Sequence, residues 1–277
     1  MPLTHIDKRN KTTSRPHMSP NFIPAIFPSR NLYNKNMYEN ELIDYLTKYN
    51  GFRKDYKNLF PNKEETIRLL LKITLPNDLE PSFFEMEQDF IRNINSRIQV
   101  TDPKSLKYID GVALFLGNPL FIKADILMDP LFSSLYQPES LMKREFSDDL
   151  LFHGGIEIRK DLLEELSKQG HEMSEGEIHL TKGYALPFKE IIHCSFPNEL
   201  ETNEDVESFS EAYLNVLKTF EKQKGKTLVV PLLNNKKEEN VFFIKTAKSY
   251  LKTMGSKKKI IFVTNDENTY NESMFLF

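Results

Sequence analysis

His153-Gly154-Gly155 stands directly ahead of an amphipathic stretch, Ile156 to Gln169, and residues of this kind in this place can bind an anion. Backbone N–H groups at a helix start, approached closely because glycine lacks a Cβ, cradle a phosphate without a set of cations. An ordinary loop entering a helix has the same sequence, and both readings stay open. Other reactive residue types have plainer readings. Asp125 heads an apolar run and fits a hydrogen-bonded strand edge better than a functional carboxylate, while His193 and Cys194 lie within an apolar run and read as core. Asp148-Asp149 reads as a surface pair, and Tyr184 with Leu186-Pro187 as a structural turn. Cys194 is the only cysteine, which excludes an intrachain disulfide and a multi-cysteine zinc site. Neither a Walker-type phosphate loop nor a Gly-x-Ser-x-Gly elbow is present.

The elements that must position these residues follow from periodicity. Short apolar runs of strand length, VALFL at 112, ADILM at 124, EIIHCSF at 190, TLVVPLL at 227 and KIIFVT at 259, alternate with helical stretches. Val206, Phe209, Tyr213, Val216 and Phe220 share one helical face, as do Val241, Ile244, Ala247, Leu251 and Met254. Strands alternating with such helices imply a sheet covered on both sides, so residues 106–277 are predicted to form a three-layer α/β/α domain with a mixed sheet. Residues 37–105 read as a small helical extension. There Asn62 is placed to cap a helix with Glu65 three residues on, and Pro81 opens another carrying Phe83, Met86, Phe90, Ile91 and Ile94.

Residues 1–36 carry Lys8, Arg9, Lys11, Arg15, Arg30 and Lys35 against Asp7, with prolines at 2, 16, 20, 24 and 28. Such a tail is expected to stay extended or disordered, apart from docking of the apolar stretch Phe22 to Phe27. Its prolines would break the amphipathic helix of a mitochondrial presequence. The first residues lack the apolar centre of a secretory signal and no run reaches the length of a membrane helix, so an intracellular, non-membrane protein is expected. The net charge of -3 gives no global attraction to nucleic acid, so any such contact must be local.

The segment Thr181-Lys182-Gly183-Tyr184, then Leu186-Pro187, then Ile191-Ile192-His193 before Pro197, resembles the macrodomain segment Thr-x-Gly-Tyr-x-Leu-Pro leading into the strand Ile-Ile-His-Thr-Val-Gly-Pro. Gly117-Asn118-Pro119 is similar to its Gly-Asp-Ile, and Ala124-Asp125-Ile126-Leu127-Met128-Asp129 to its Val-Asp-Ala-Ile-Val-Asn. His153-Gly154-Gly155-Ile156-Glu157 resembles the His-Gly-Cys-Ile-Asp of the zinc-dependent branch found beside sirtuin-type ADP-ribosyltransferases. The resemblance covers roughly residues 60–277 and implies an ADP-ribose cleft, with hydrolysis of ADP-ribosylated protein in that branch. By this matching Asn118, Asp129, His153, Gly154, Gly155 and Ile156 are the ligand-binding candidates, and Glu157 replaces the catalytic aspartate.

The departures from the family fall on its chemistry. Asn118 takes the place of the adenine-binding aspartate, and Asp129 and Phe132 take the places of two asparagines. Of the zinc ligands only His153 is kept, Gly155 replaces one cysteine, and Ser133 to Phe152 offers none, so no cofactor is expected and the branch's zinc site reads as lost. The second phosphate loop is replaced by Asn234-Asn235-Lys236-Lys237-Glu238-Glu239, without glycine between Gly225 and Gly255. The resemblance thus implies a degenerate macrodomain that binds ADP-ribose or ADP-ribosylated protein, with hydrolysis residual or lost. The alternative is an inactive scaffold that binds a protein partner.

Overall fold

The computed structural model describes residues 35–52, 62–131, 146–197, 200–234 and 236–277. Asn34–Phe277 form one compact unit. The basic tail to residue 34, its stretch Phe22 to Phe27, Phe132, Asn235 and most of the segment Ser133 to Asp149 lie outside the described residues. No helix among them is long and apolar enough to cross a membrane.

Among the described residues six strands form one mixed sheet in the order β1-β6-β5-β2-β4-β3. They are β1 (Val112–Leu116), β2 (Ile126–Leu131), β3 (Ile178–Lys182), β4 (Glu190–Ser195), β5 (Thr227–Pro231) and β6 (Lys259–Thr264). Every neighbouring pair is parallel except β3 with β4. Alternation along the strands feeds two cores. Ile126, Met128, Ile192, Cys194, Leu228, Val230, Ile260 and Phe262 face one layer, with Phe209, Tyr213, Val216 and Phe220 of α6 (Asn203–Lys222) and Phe243, Ile244 and Ala247 of α7 (Lys237–Met254). Leu127, Ile191, Val229 and Ile261 face the other, against Leu150 of α4 (Phe146–Gly154) and Ile158 of α5 (Glu157–Gln169). The three-layer arrangement predicted from the sequence is therefore observed. A short helix, α8 (Glu267–Met274), ends the chain.

Three further helices, α1 (Lys35–Tyr49), α2 (Lys63–Ile73) and α3 (Pro81–Asn95), share a third apolar cluster. Phe152 and Ile156 enter it from the α4–α5 junction, whereas Leu150 and Ile158 on either side enter the sheet's core. Arg159 of α5 fastens the helices more firmly. Its buried guanidinium donates through Nη1 to the carbonyls of Leu71, Lys72 and Thr74, where α2 ends and its carbonyls lack helical partners.

Local details differ from the sequence reading. Asn62 caps α2 by accepting from Glu64 N–H, while Glu65 pairs with Arg68 instead of returning to the cap. Val206 and Met254 are exposed at the ends of their helices, and Phe243 takes the central core place on α7. α4 and β3 are additional elements, in stretches to which the periodicity assigned none.

Candidate active-site crevice

In a parallel sheet, ligands gather outside the carboxyl ends of the strands, where the strand order changes direction. That point falls between β5 and β2. Beyond β2, Phe196 N–H donates to the Leu131 carbonyl at 2.7 Å, and beyond β5, Leu232 N–H donates to Val263 at 2.8 Å. The turn after β5 is fastened from inside. Asn240 of α7, buried, accepts from Leu233 N–H at 2.8 Å and donates to the Leu233 carbonyl at 2.7 Å. A side-chain amide thus holds a turn whose main-chain groups would otherwise be open to a ligand. Asn118, just past β1, likewise accepts from Leu120 N–H at 2.9 Å and starts a tight helical turn.

Below the crevice Asp129 is buried and turned inward. One carboxylate oxygen accepts from Ser147 Oγ at 2.8 Å, and the other lies 2.8 Å from His193 Nδ1 on the adjacent strand. His193 Nε2 is in turn 2.8 Å from Thr181 Oγ1 on β3. The core position expected for His193 is correct, but its ring is part of a polar chain. Cys194 lies on the other face of β4 in the α6–α7 layer, and burial pushes its thiol pKa upward.

The start of α4 stands over Asp129, because Ser147 lies in its first turn. Next to it Asp148 pairs with Lys72 at 2.7 Å, and Asp149 with Arg68, both from α2. The Arg68 guanidinium also lies 3.9 Å from the Phe152 ring centre. The surface pair read from the sequence is therefore an interface between α2 and α4.

The structure divides the predicted site residues. Asn118 and Asp129 are near the carboxyl ends, whereas His153, Gly154, Gly155, Ile156 and Glu157 gather at the α4–α5 junction. Gly154 accepts from Ala185 N–H, and Ala185 follows Lys182, which pairs with the first residue of β4. The junction is therefore at the amino end of the parallel strands. Ser147 and His153 are six residues apart on one helix, about 9 Å along its axis.

At the His153-Gly154-Gly155 segment, read as a phosphate cradle or as an ordinary loop entering a helix, the N–H groups of Gly155 and Ile156 have partners within the chain. Gly155 N–H closes α4 on the Leu151 carbonyl at 2.9 Å, and Ile156 N–H donates to Glu87 Oε1 at 3.0 Å. Gly155 has φ +103°, and a Cβ there would lie 2.6 Å from Gln88 Nε2, so the glycine serves close packing on α3. His153 Nδ1 is 2.7 Å from Asn95 Oδ1, and its ring meets Phe121 and Phe152 edge-on. Glu157 accepts from Gln88 Nε2 at 3.2 Å; burial and Asp161 raise its pKa. Glu87, fully buried, is the residue that sequence reasoning missed: burial raises its pKa to about 8.

Asp125 is at the strand edge, as read. Burial opposes its charge, but hydrogen bonds from Lys189, Lys226 N–H and Thr227 bring its pKa to about 2. Tyr184, with φ +48°, closes the β3–β4 turn and donates to Asp161 at 2.5 Å.

A mixed sheet flanked by helices in this way is the fold of solved macrodomain structures. Residues 140–237 match the family described as Macro domain. A protein-ADP-ribose hydrolase of Staphylococcus aureus (strain MRSA252) is 27% identical over 189 residues, covering 63% of this chain and 70% of that protein. The Oceanobacillus iheyensis macrodomain with ADP aligns with a TM-score of 0.52 at 19% identity, covering 62% of this chain and 93% of that one. The Trypanosoma brucei macrodomain in complex with ADP-ribose aligns with a TM-score of 0.52 at 14% identity, covering 74% and 92%. The chain is thus similar to macrodomains in sequence over residues 140–237 and in fold.

Proposed function

We propose that this macrodomain is noncatalytic, a scaffold whose crevice has lost zinc-dependent ADP-ribosyl hydrolysis and whose surface binds a partner. One observation carries the reading: the carboxylates nearest the crevice are already committed within the chain, Asp129 to Ser147 and His193, Asp148 to Lys72 and Asp149 to Arg68. A carboxylate held this way is not available to direct a water. The residues also do not fit a zinc ion of the related branch. His153 is turned to Asn95, the single cysteine is across the sheet, and among the described residues no three His, Cys, Asp or Glu side chains gather as a metal requires.

A second reading, retained binding of ADP-ribose or ADP-ribosylated protein, is supported by the change of strand order between β5 and β2 and by the neighbours solved with ADP and ADP-ribose. The test is hydrolysis of ADP-ribosylated protein with and without added zinc, beside calorimetric titration with ADP-ribose. No turnover and no heat up to millimolar ligand are expected. Binding at micromolar affinity, about -8 kcal/mol, without turnover would select the second reading. Turnover would overturn the noncatalytic reading, since it requires both the binding of the second reading and a working catalytic group.

A further inference from the structure

We propose that the amino-terminal end of the sheet, opposite the crevice, is a binding surface for the phosphate backbone of nucleic acid. Parallel strands place everything that precedes them at one end, and in this chain six of those positions are exposed lysines. Lys189 precedes β4, Lys224 and Lys226 precede β5, Lys257 precedes β6 and Lys259 opens it, and Lys107 precedes β1; all six are exposed. Main-chain pairing makes them one row. Lys259 N–H donates to the Lys226 carbonyl at 2.9 Å, Lys226 N–H to the Asp125 carboxylate at 2.8 Å, and Lys189 N–H to the Asp125 carbonyl at 2.9 Å. Lys259 Nζ lies 4.2 Å from the Tyr108 ring centre, which brings the segment bearing Lys107 to the end of the row. Five parallel strands at about 4.8 Å spacing make this row about 20 Å wide, enough to meet several phosphates at once.

The usual duties of surface lysines leave most of these unused. Lys258, half-buried, alone meets the last carbonyls of α6 by donating to Phe220 and Gln223. Lys189 pairs with Asp125 at 2.7 Å. Among the described residues Lys107, Lys224, Lys226 and Lys257 form no ion pair. The carboxylates of this end are partly spent: Asp125 takes four hydrogen bonds from Lys189, Lys226 and Thr227, Glu221 accepts from Ser256, and Asp102 caps Lys104 N–H. Glu190 and Asp110 flank the row, and Glu157 and Asp161 lie at the same end beside the β3–β4 turn, where Asp161 accepts from Tyr184 and Glu157 from Gln88. In a chain with 37 basic and 40 acidic residues, such a row is a local reversal of sign.

The chemistry of the row identifies its partner. All six are ammonium groups on flexible stems, with no guanidinium for bidentate recognition, which suits contact with a repeating phosphate backbone irrespective of base sequence. Such binding is expected at a Kd of about 10⁻⁴ to 10⁻⁶ M and is lost as salt displaces the contacts.

The experiment is fluorescence anisotropy of the full chain with a labelled duplex DNA and a labelled single-stranded RNA, repeated over a salt series. The combined variant Lys224→Glu, Lys226→Glu and Lys257→Glu is expected to weaken binding at least tenfold and flatten the salt dependence. Lys236→Glu with Lys237→Glu, beyond β5 at the other end, should leave both unchanged. A Lys→Gln version of the triple variant, with a thermal unfolding check, separates loss of binding from loss of fold. The proposal is overturned if neither probe binds, if the triple variants bind like the parent, if reversal of Lys8, Arg9, Lys11 and Arg15 alone abolishes binding, or if phosphatidylserine vesicles bind and nucleic acid does not.

Discussion

Asp129 and His193 stand opposite each other on adjacent parallel strands, with carboxylate and imidazole 2.8 Å apart and only 2% and 1% of each residue exposed. With Thr181 on the far side of the ring, the order hydroxyl, imidazole, carboxylate is that of a hydrolase triad. Here all three side chains are sealed in the protein, and the chain serves to hold β2, β4 and β3 in register. Ser147 extends it to α4.

Asp129→Ala leaves the imidazole and the Ser147 hydroxyl without their partner in a buried place. A loss of about 3–5 kcal/mol is expected, read from the urea midpoint at unchanged slope. Asp129→Asn, which keeps an acceptor, should cost less. Equal stability of the alanine variant and the parent would contradict the role assigned to the pair.

Glu87 gives the fold a pH dependence of definite sign. Burial raises its folded pKa from 4.5 to about 8, so the folded state holds a proton that the unfolded chain has released. Its contribution is fully present below pH 4.5, declines as pH rises, and is gone above about 8. Glu87→Gln keeps a group that accepts from Ile156 N–H and removes the titration. Unfolding free energies between pH 5 and 9 should lose this decline in the variant; an identical pH profile would count against it.

Arg159→Lys replaces a planar group that reaches three carbonyls with a single ammonium. A loss of about 1–3 kcal/mol is expected, with faster hydrogen exchange in the last turn of α2. Unchanged exchange there would mean that α2 is held by its apolar face alone.

Asn240→Ala strips the turn after β5 of both hydrogen bonds to Leu233. About 1–3 kcal/mol of stability should go, measured by thermal unfolding. Asn240→Asp keeps the acceptor but sets a carboxylate against the Leu233 carbonyl, and it should be no better than alanine. A stable alanine variant would show that water replaces the amide.

The parts of the fold legible in sequence were those whose pattern reports burial. β1, β4, β5 and β6 read directly as apolar runs because helices cover both faces of the sheet. β3 was hidden because its inward positions are His179 and Thr181, so alternation places polar types where apolar ones are expected. α4 was hidden by its shortness and by the glycine pair Gly154-Gly155 at its end. The same glycines bear on the site reading: a glycine pair before a helix looks like a phosphate loop, and only the position of α4 sets it at the amino end of the parallel strands. Glu87 left a usable sign. It occupies the apolar stripe of α3 between Phe83 and Ile91, and a carboxyl in such a stripe must meet a donor. Its partner, Ile156 N–H, is 69 residues away, beyond the reach of any local pattern.

Cys194, buried between the sheet and α6 with its thiol pKa raised by that burial, makes the molecule its own clock. A thiol reagent can reach it only when the core opens, so the rate of labelling in the native protein reports how often that layer comes apart. Because no second thiol competes, a single mass increment of the intact chain records the event. Each variant above can then be ranked without denaturant, by the time its one sulfur stays silent.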